Sequence, residues 1–127
     1  DIVFQDPAFG QQKGERAKNM WRMLCQSQKG KDFRMEYSDV TSKGIYARAH
    51  WEAHYNFSQT GRRVHNKIDA SFKFKDGLIV QHDDSFNLHA WAKQALGFKG
   101  IVLGGTSFFQ RKLNAQTNAM LSKFESR

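Results

Sequence analysis

His82 and Asp84 stand two residues apart in a stretch where apolar and polar side chains alternate, so an imidazole and a carboxylate share one face of a strand. They lie roughly 7 Å apart along it, and such a pair can either move a proton or line a wet cavity as a polar couple. Burying both without partners would cost free energy. Asn66 also sits on an otherwise apolar face, where it reads as a hydrogen-bonded core amide or as a ligand contact. Asp6, just before Pro7, has two readings of its own: a side chain that ends a strand by bonding backbone N–H groups, or a carboxylate offered to a ligand or to catalysis. His50 and His54 share the opposite face at about 13 Å along the strand, too far apart to hold one metal ion together. They read as surface or dimer-contact histidines. No Cys/His cluster, phosphate-binding glycine loop or Ser/His/Asp order is present, so neither a metal nor a cofactor is expected.

The elements that must position these groups are three runs of period-two alternation between Ile45 and Phe86. In the first, Ala47, Ala49, Trp51, Ala53, Tyr55 and Phe57 point one way. In the second, Val64, Ile68, Ala70, Phe72 and Phe74 share a face with Asn66. In the third, Leu78 and Val80 lead into His82, Asp84 and Phe86. Thr60-Gly61 suits a two-residue hairpin that sets Phe57 opposite Val64, and Lys75-Asp76-Gly77 suits a three-residue loop that sets Phe74 opposite Leu78. The predicted rows across the sheet are then Trp51 with Ala70 and His82, Ala53 with Ile68 and Asp84, and Tyr55 with Asn66 and Phe86. Small residues beside large ones leave concave room, a cup suited to binding. On the outer face the same register opposes Glu52 to Asp69, a like-charge pair that calls for a cation.

Asp1 to Phe4 reads as a strand that starts at the first residue, as expected if the numbering begins inside a longer protein or an upstream element is missing. Gly10 to Gly14 reads as a loop. Glu15 to Gln26 carries Ala17, Met20, Trp21 and Leu24 at helical spacing, so Met20 and Trp21 read as core, with Cys25 a buried, inert thiol at the stripe's border. Phe33, Met35 and Tyr37 alternate as a further strand. Asn87 caps a helix bearing Leu88, Trp91, Ala92 and Ala95 and stopped by Gly97. A glycine-rich connector spans Gly100 to Gly105, and Ser107 with Gln110 reads as a capping box for a last helix with Phe109, Leu113, Met120 and Phe124 on one side. The order gives an α+β fold with a curved sheet wrapped around helices.

At 127 residues the chain reads as one domain, a core over residues 1–97 with a helical extension over 98–127. Its net charge of +8 invites a nucleic-acid partner, but the basic residues are spread over every element and no recognition motif is present. One cysteine excludes an internal disulfide, and no apolar run is long enough to span a membrane, so the expected location is the cytoplasm.

Val3-Phe4-Gln5-Asp6-Pro7-Ala8-Phe9-Gly10, followed by Gly14-Glu15 opening a helix, resembles the region around the catalytic aspartate of ketosteroid isomerases. Residues 68–80 resemble their next-to-last strand, turn and last strand. Through Val64-His65-Asn66 and through Asp76-Gly77-Leu78-Ile79-Val80 running to His82, Asp84 and Phe86, the chain resembles the SnoaL-like proteins of the nuclear transport factor 2-like superfamily. The resemblance implies a cone-shaped α+β barrel, usually dimeric through the outer sheet face, with an apolar pocket and a helical hairpin before the first strand, so that this chain resembles a member without its first helices. It also implies a proton-transfer site in which one aspartate is the base while a tyrosine and a protonated aspartic acid stabilise the enolate. Asp6 matches the base. Ala70 falls where the protonated acid stands, and Asp69 is one residue out of phase and faces away. Donors that would substitute on the cup face are the Tyr55 hydroxyl, the Trp51 indole N–H, the Asn66 amide and His82. SnoaL-like cyclases also use a pocket aspartate, a role that suits Asp84 beside His82.

Two functions of different class follow. One is an isomerase- or cyclase-type enzyme that moves a proton within a small apolar carbonyl compound, with Asp6, Asp84 and His82 as catalytic candidates and Trp51, Tyr55, Asn66, Ala70 and Phe86 as ligand contacts. The other is a non-catalytic ligand-binding or dimerisation module on the same fold.

Overall fold

The alternating runs become strands in the computed structural model, which describes residues 1–127. β1 (Val3–Asp6) and β2 (Gly10–Lys13) form a hairpin, α1 (Gly14–Gln28) follows, and β3 (Arg34–Lys43), β4 (Tyr46–Asn56), β5 (Arg63–Lys75) and β6 (Leu78–Ser85) form an antiparallel meander. β1 returns parallel to β6, so the sheet is mixed, in the order β2-β1-β6-β5-β4-β3. Ala53, Val64, Asn66, Ile68, Ala70 and Asp84 are buried on the inner, concave face, as the period-two pattern requires. The stretch expected to be a loop, Gly10 to Gly14, is mostly β2. Its Gln12 is buried and donates to the Phe9 carbonyl at 3.1 Å and to Asn118 at 2.7 Å.

Both hairpin turns differ from the expected ones. Phe57 N–H donates to the Arg62 carbonyl at 2.8 Å and Gly61 N–H to the Phe57 carbonyl at 2.7 Å, so residues 58–61 all belong to the loop. Gly61, at φ +72°, ends it in the left-handed region. Tyr55 rather than Phe57 then faces Val64. At the next turn Lys75 pairs with Leu78 around Asp76 and Gly77, both left-handed at φ 53° and 76°, the pattern of a two-residue Asp-Gly turn. An irregularity follows, because Phe74 pairs with Ile79 but Lys73 with Gln81, leaving Val80 as the extra residue. The predicted rows therefore do not form. Phe72 faces His82, Ala70 faces Asp84, and Trp51 faces Ile68. Each slip is an even number of residues by the time the strands run regularly, so Trp51, Ala70, His82 and Asp84 keep their predicted face, whereas Leu78, ahead of the bulge, pairs with Lys75 and leaves the face predicted for it. On the outer face Glu52 faces Lys67 and Asp69 faces His50, so the Glu52–Asp69 clash is absent.

The core has two parts. Ala17 and Met20 of α1 pack with Phe4, Phe9 and Leu121, and Trp21 and Leu24 flank them. Cys25 is exposed rather than buried, since residues 25–27 at the end of α1 carry no packed side chain. The second part joins Val64 to Trp91, Ala92 and Ala95 of α2 (Leu88–Leu96). Asn87 caps that helix as expected, its side chain accepting from Ala90 N–H at 3.0 Å, and Gly97 ends it at φ +67°. The glycine-rich connector is largely helical: α3 (Phe98–Leu103) packs so closely on α2 that a Cβ on Gly100 would stand 1.9 Å from the Ala92 carbonyl oxygen.

In α4 (Ser107–Glu125) the cap is Thr106, not Ser107. Thr106 has the extended backbone a cap needs, and its hydroxyl accepts from Phe109 N–H at 3.1 Å. The buried stripe of α4 is also displaced from expectation: Leu121 is fully buried while Met120 is 49% exposed. The reason is where α4 docks. Asn114, Thr117 and Asn118 donate to the carbonyls of Pro7, Ala8 and Phe9, which fastens the helix across the β1–β2 turn.

Candidate functional site

Parallel pairing of β1 with β6 is what assembles the site. Phe4 lies beside His82 and Gln5 beside Asp83, so Asp6, the next residue of β1, flanks Asp84. His82 Nε2 is 2.8 Å from Asp84 Oδ1, and the Trp51 indole N–H reaches the same oxygen at 3.4 Å. The Asp84 side chain is 3% exposed and that of His82 16%. Both polar residues thus have partners, which answers the desolvation cost of placing them on an apolar face. The His82 ring is held by three aromatic neighbours. Trp21 lies parallel to it at 5.9 Å between centroids, Phe4 meets it edge-on at 5.0 Å, and Phe72 is tilted at 4.5 Å.

Asp6 does two things at once. Its Oδ1 accepts from Phe9 N–H at 2.7 Å and from Ala8 N–H at 3.1 Å, which closes the turn into β2. Burial nonetheless pushes its carboxyl up to about 6, against the Phe9 N–H that favours the charged form, and the neighbouring Asp84 carboxylate pushes in the same upward direction. A carboxyl that titrates there can take and return a proton near neutrality.

Of the expected ligand contacts, Trp51 and Ala70 adjoin this group. Ala70 faces Asp84 on one side and Ala49 on the other, so the floor beside the carboxylates is made of small side chains. Tyr55, Asn66 and Phe86 are elsewhere. Tyr55 is four residues along β4 from Trp51, about 13 Å by the strand rise. Its hydroxyl accepts from the Trp91 indole at 2.8 Å, and burial pushes its phenol above the ordinary value. Phe86 packs with it in the second core cluster. Asn66 is 8% exposed and lies opposite Ala53. Trp21, Phe4 and Phe72 carry no site signal in the sequence, because helical or strand spacing marks an aromatic as inward-facing without distinguishing core from site wall.

On the outer face, His50 lies between Asp69, at 3.0 Å, and Glu52, at 2.7 Å. These hydrogen bonds, that of Asp69 first, hold its imidazole above the usual range. Two surface hollows, one walled by Gln28, Lys31, Asp32 and Phe57 and the other by His89, Gly104, Thr106 and Gln110, contain none of Asp6, His82 or Asp84. No helix is long and apolar enough to cross a membrane.

Residues 1–82 match the family model of the SnoaL-like domain. Among solved structures, an LEH-like epoxide hydrolase of M. tuberculosis aligns with 20% identity over 82% of this chain and 71% of its own, at a TM-score of 0.54. A candidate polyketide cyclase from Xanthomonas campestris pv. campestris aligns with 20% identity over 74% of this chain and 76% of its own, at 0.56. A protein of ketosteroid isomerase-like fold from Catenulispora acidiphila, in complex with trimethylamine, aligns with 11% identity over 75% of this chain and 73% of its own, at 0.62. At such identities the likeness is one of fold. No curated protein matches the chain.

Proposed function

The chain belongs to the SnoaL-like domain family, and from that membership and the grouping of its acidic residues we propose that its concave face binds a small apolar carbonyl compound, with Asp6 as a general base that moves a proton within it. The observation that carries this reading is the Asp6 carboxyl, lifted by burial to about 6 beside a second carboxylate that is bonded to an imidazole. In the proposed step the free oxygen of Asp6 takes a proton from the carbon next to the carbonyl, the C–H electrons pass into an enolate, and the proton is returned to carbon from Asp6. The negative charge grows on the carbonyl oxygen. The Trp51 N–H is a neutral donor on that face, held by a long bond to Asp84 that a ligand oxygen can replace. His82, bonded to Asp84 and packed among three aromatic neighbours, would polarise the ligand from the same face.

A second reading, a non-catalytic binding module, is favoured by two specific observations: Asp6 already serves the β1–β2 turn, and Ala70 stands where the resemblance places an oxyanion-stabilising acid. Hydrogen exchange separates the two. The protein should catalyse exchange of the α-hydrogens of a bound enolisable ketone with deuterated water, and Asp6→Asn should lose most of that rate while retaining ligand affinity. General-base catalysis is typically worth 10²–10⁴-fold, so a loss below about tenfold removes Asp6 from the role. If no ketone exchanges, the binding-module reading replaces it.

A further inference from the structure

The outer face of the sheet carries a second group of chemistry-bearing side chains, remote from Asp6. His54 of β4 faces His65 of β5 directly, and their rings stack at 4.0 Å between centroids. Glu52 precedes His54 by two residues and so shares its face, with Oε1 at 2.5 Å from His65 Nε2 and Oε2 at 2.7 Å from His50. One donor atom from each of Glu52, His54 and His65 lies within 4.8 Å of the others. A fourth residue converges from β3: Glu36 faces Glu52 across the strands and bonds His54 Nε2 at 3.0 Å.

We propose that Glu52, His54 and His65 form a binding site for a divalent transition metal of the Zn2+ type, with Glu36 as the adjoining oxygen donor. Tetrahedral zinc bonds of about 2.0–2.1 Å put ligand atoms about 3.3 Å apart, so the three donors need to close by only about 1.5 Å, within reach of side-chain rotation on a fixed backbone. All four residues sit on adjacent paired strands, which supply that backbone. A cation also relieves a local conflict, because Glu36 and Glu52 are like charges directly opposed across β3 and β4, an arrangement that destabilises a sheet. The site is open to entry, with the His65 side chain 41% exposed and Glu52 25%. Its selectivity follows from the donors and from their neighbours. Arg34 faces His54 and Lys67 faces Glu52, so the patch is not an anionic surface that would collect Ca2+ or Mg2+. Imidazole nitrogen favours Zn2+, Co2+, Ni2+ or Cu2+ over the oxygen-seeking cations.

The test uses tag-free protein carrying Cys25→Ser, which removes the exposed thiol as a competing ligand. Co2+ is titrated by visible absorption and displaced with Zn2+, and the isotherm gives affinity and stoichiometry. The expected result is one ion per chain with tetrahedral absorption, and a loss of affinity of at least tenfold in each of His65→Gln, His54→Gln and Glu52→Gln. His89→Gln, outside the cluster, should bind as the parent does. Far-ultraviolet circular dichroism and thermal melting of the metal-free variants check that each is folded, which the half-exposed position of His65 favours. Absence of saturable binding overturns the proposal. So does a folded His54→Gln or His65→Gln variant that binds Co2+ and Zn2+ with parental affinity.

Discussion

Asp6→Asn should make the protein more stable at neutral pH, and that gain tests the buried carboxyl independently of any activity. Asparagine keeps an oxygen to accept from Ala8 and Phe9 N–H, so the turn survives, but it carries no charge. Burial raises the Asp6 carboxyl from 3.8 to about 6, and at 1.36 kcal/mol per pKa unit this corresponds to about 3 kcal/mol at most. The sign follows from proton counting. Between pH 3.8 and about 6 the folded chain holds a proton on Asp6 that the unfolded chain has released, so stability from this group falls as pH rises through that window. Below it the penalty is absent; above it the penalty is complete. The bonds from Phe9 and Ala8 N–H, which favour the charged carboxylate, are already contained in that value, and the amide is a neutral acceptor like the protonated acid. The variant should therefore exceed the parent by up to about 3 kcal/mol at about pH 8 and converge with it near pH 4. Urea unfolding followed by tryptophan fluorescence at several pH values measures the difference. A gap that stays constant to within about 0.5 kcal/mol over the whole range would show that Asp6 titrates as an ordinary exposed carboxylate and would remove the physical basis for its role as a base.

Two further substitutions test how the C-terminal helices are held. Thr106→Ala should cost about 1 kcal/mol through the lost α4 cap, while Ser107→Ala should change stability by less than about 0.5 kcal/mol; the reverse order in urea unfolding would restore Ser107 as the cap. Leu121→Ala should cost about 2–5 kcal/mol because its side chain lies in one cluster with Phe4 and Met20, whereas Met120→Ala, half-exposed, should cost less than about 1 kcal/mol. Equal effects at 120 and 121 would mean that the face α4 turns to Phe4 and Met20 is misassigned.

Much of the architecture was legible because it depends on period alone. Alternation over residues 45–86 determined that His82, Asp84, Trp51 and Ala70 point into the sheet's concave side while His50, His54 and Asp69 point out, and any even slip in register preserves that division. The Ala17, Met20, Trp21 and Leu24 stripe likewise determined which side of α1 meets the core. Neighbour identity was not determined, because it rests on turn length and on one bulge. Four residues instead of two at the Gly61 turn moved Trp51 from Ala70 to Ile68, and two residues instead of three at Asp76-Gly77, with an extra Val80, moved His82 from Ala70 to Phe72 and gave Ala70 to Asp84.

The site itself needed more than sequence. Asp6 and Asp84 are 78 positions apart, and only the parallel pairing of β1 with β6 makes their carboxylates neighbours and so helps raise the Asp6 titration. The same holds on the outer face. Spacing along β4 showed that His50 and His54 cannot share a metal ion, but the partner of His54 is His65, on a different strand, and a cross-strand pair is invisible until the register is known. Local pattern sets the direction in which a side chain points; long-range pairing sets what it meets there, and chemistry requires the meeting.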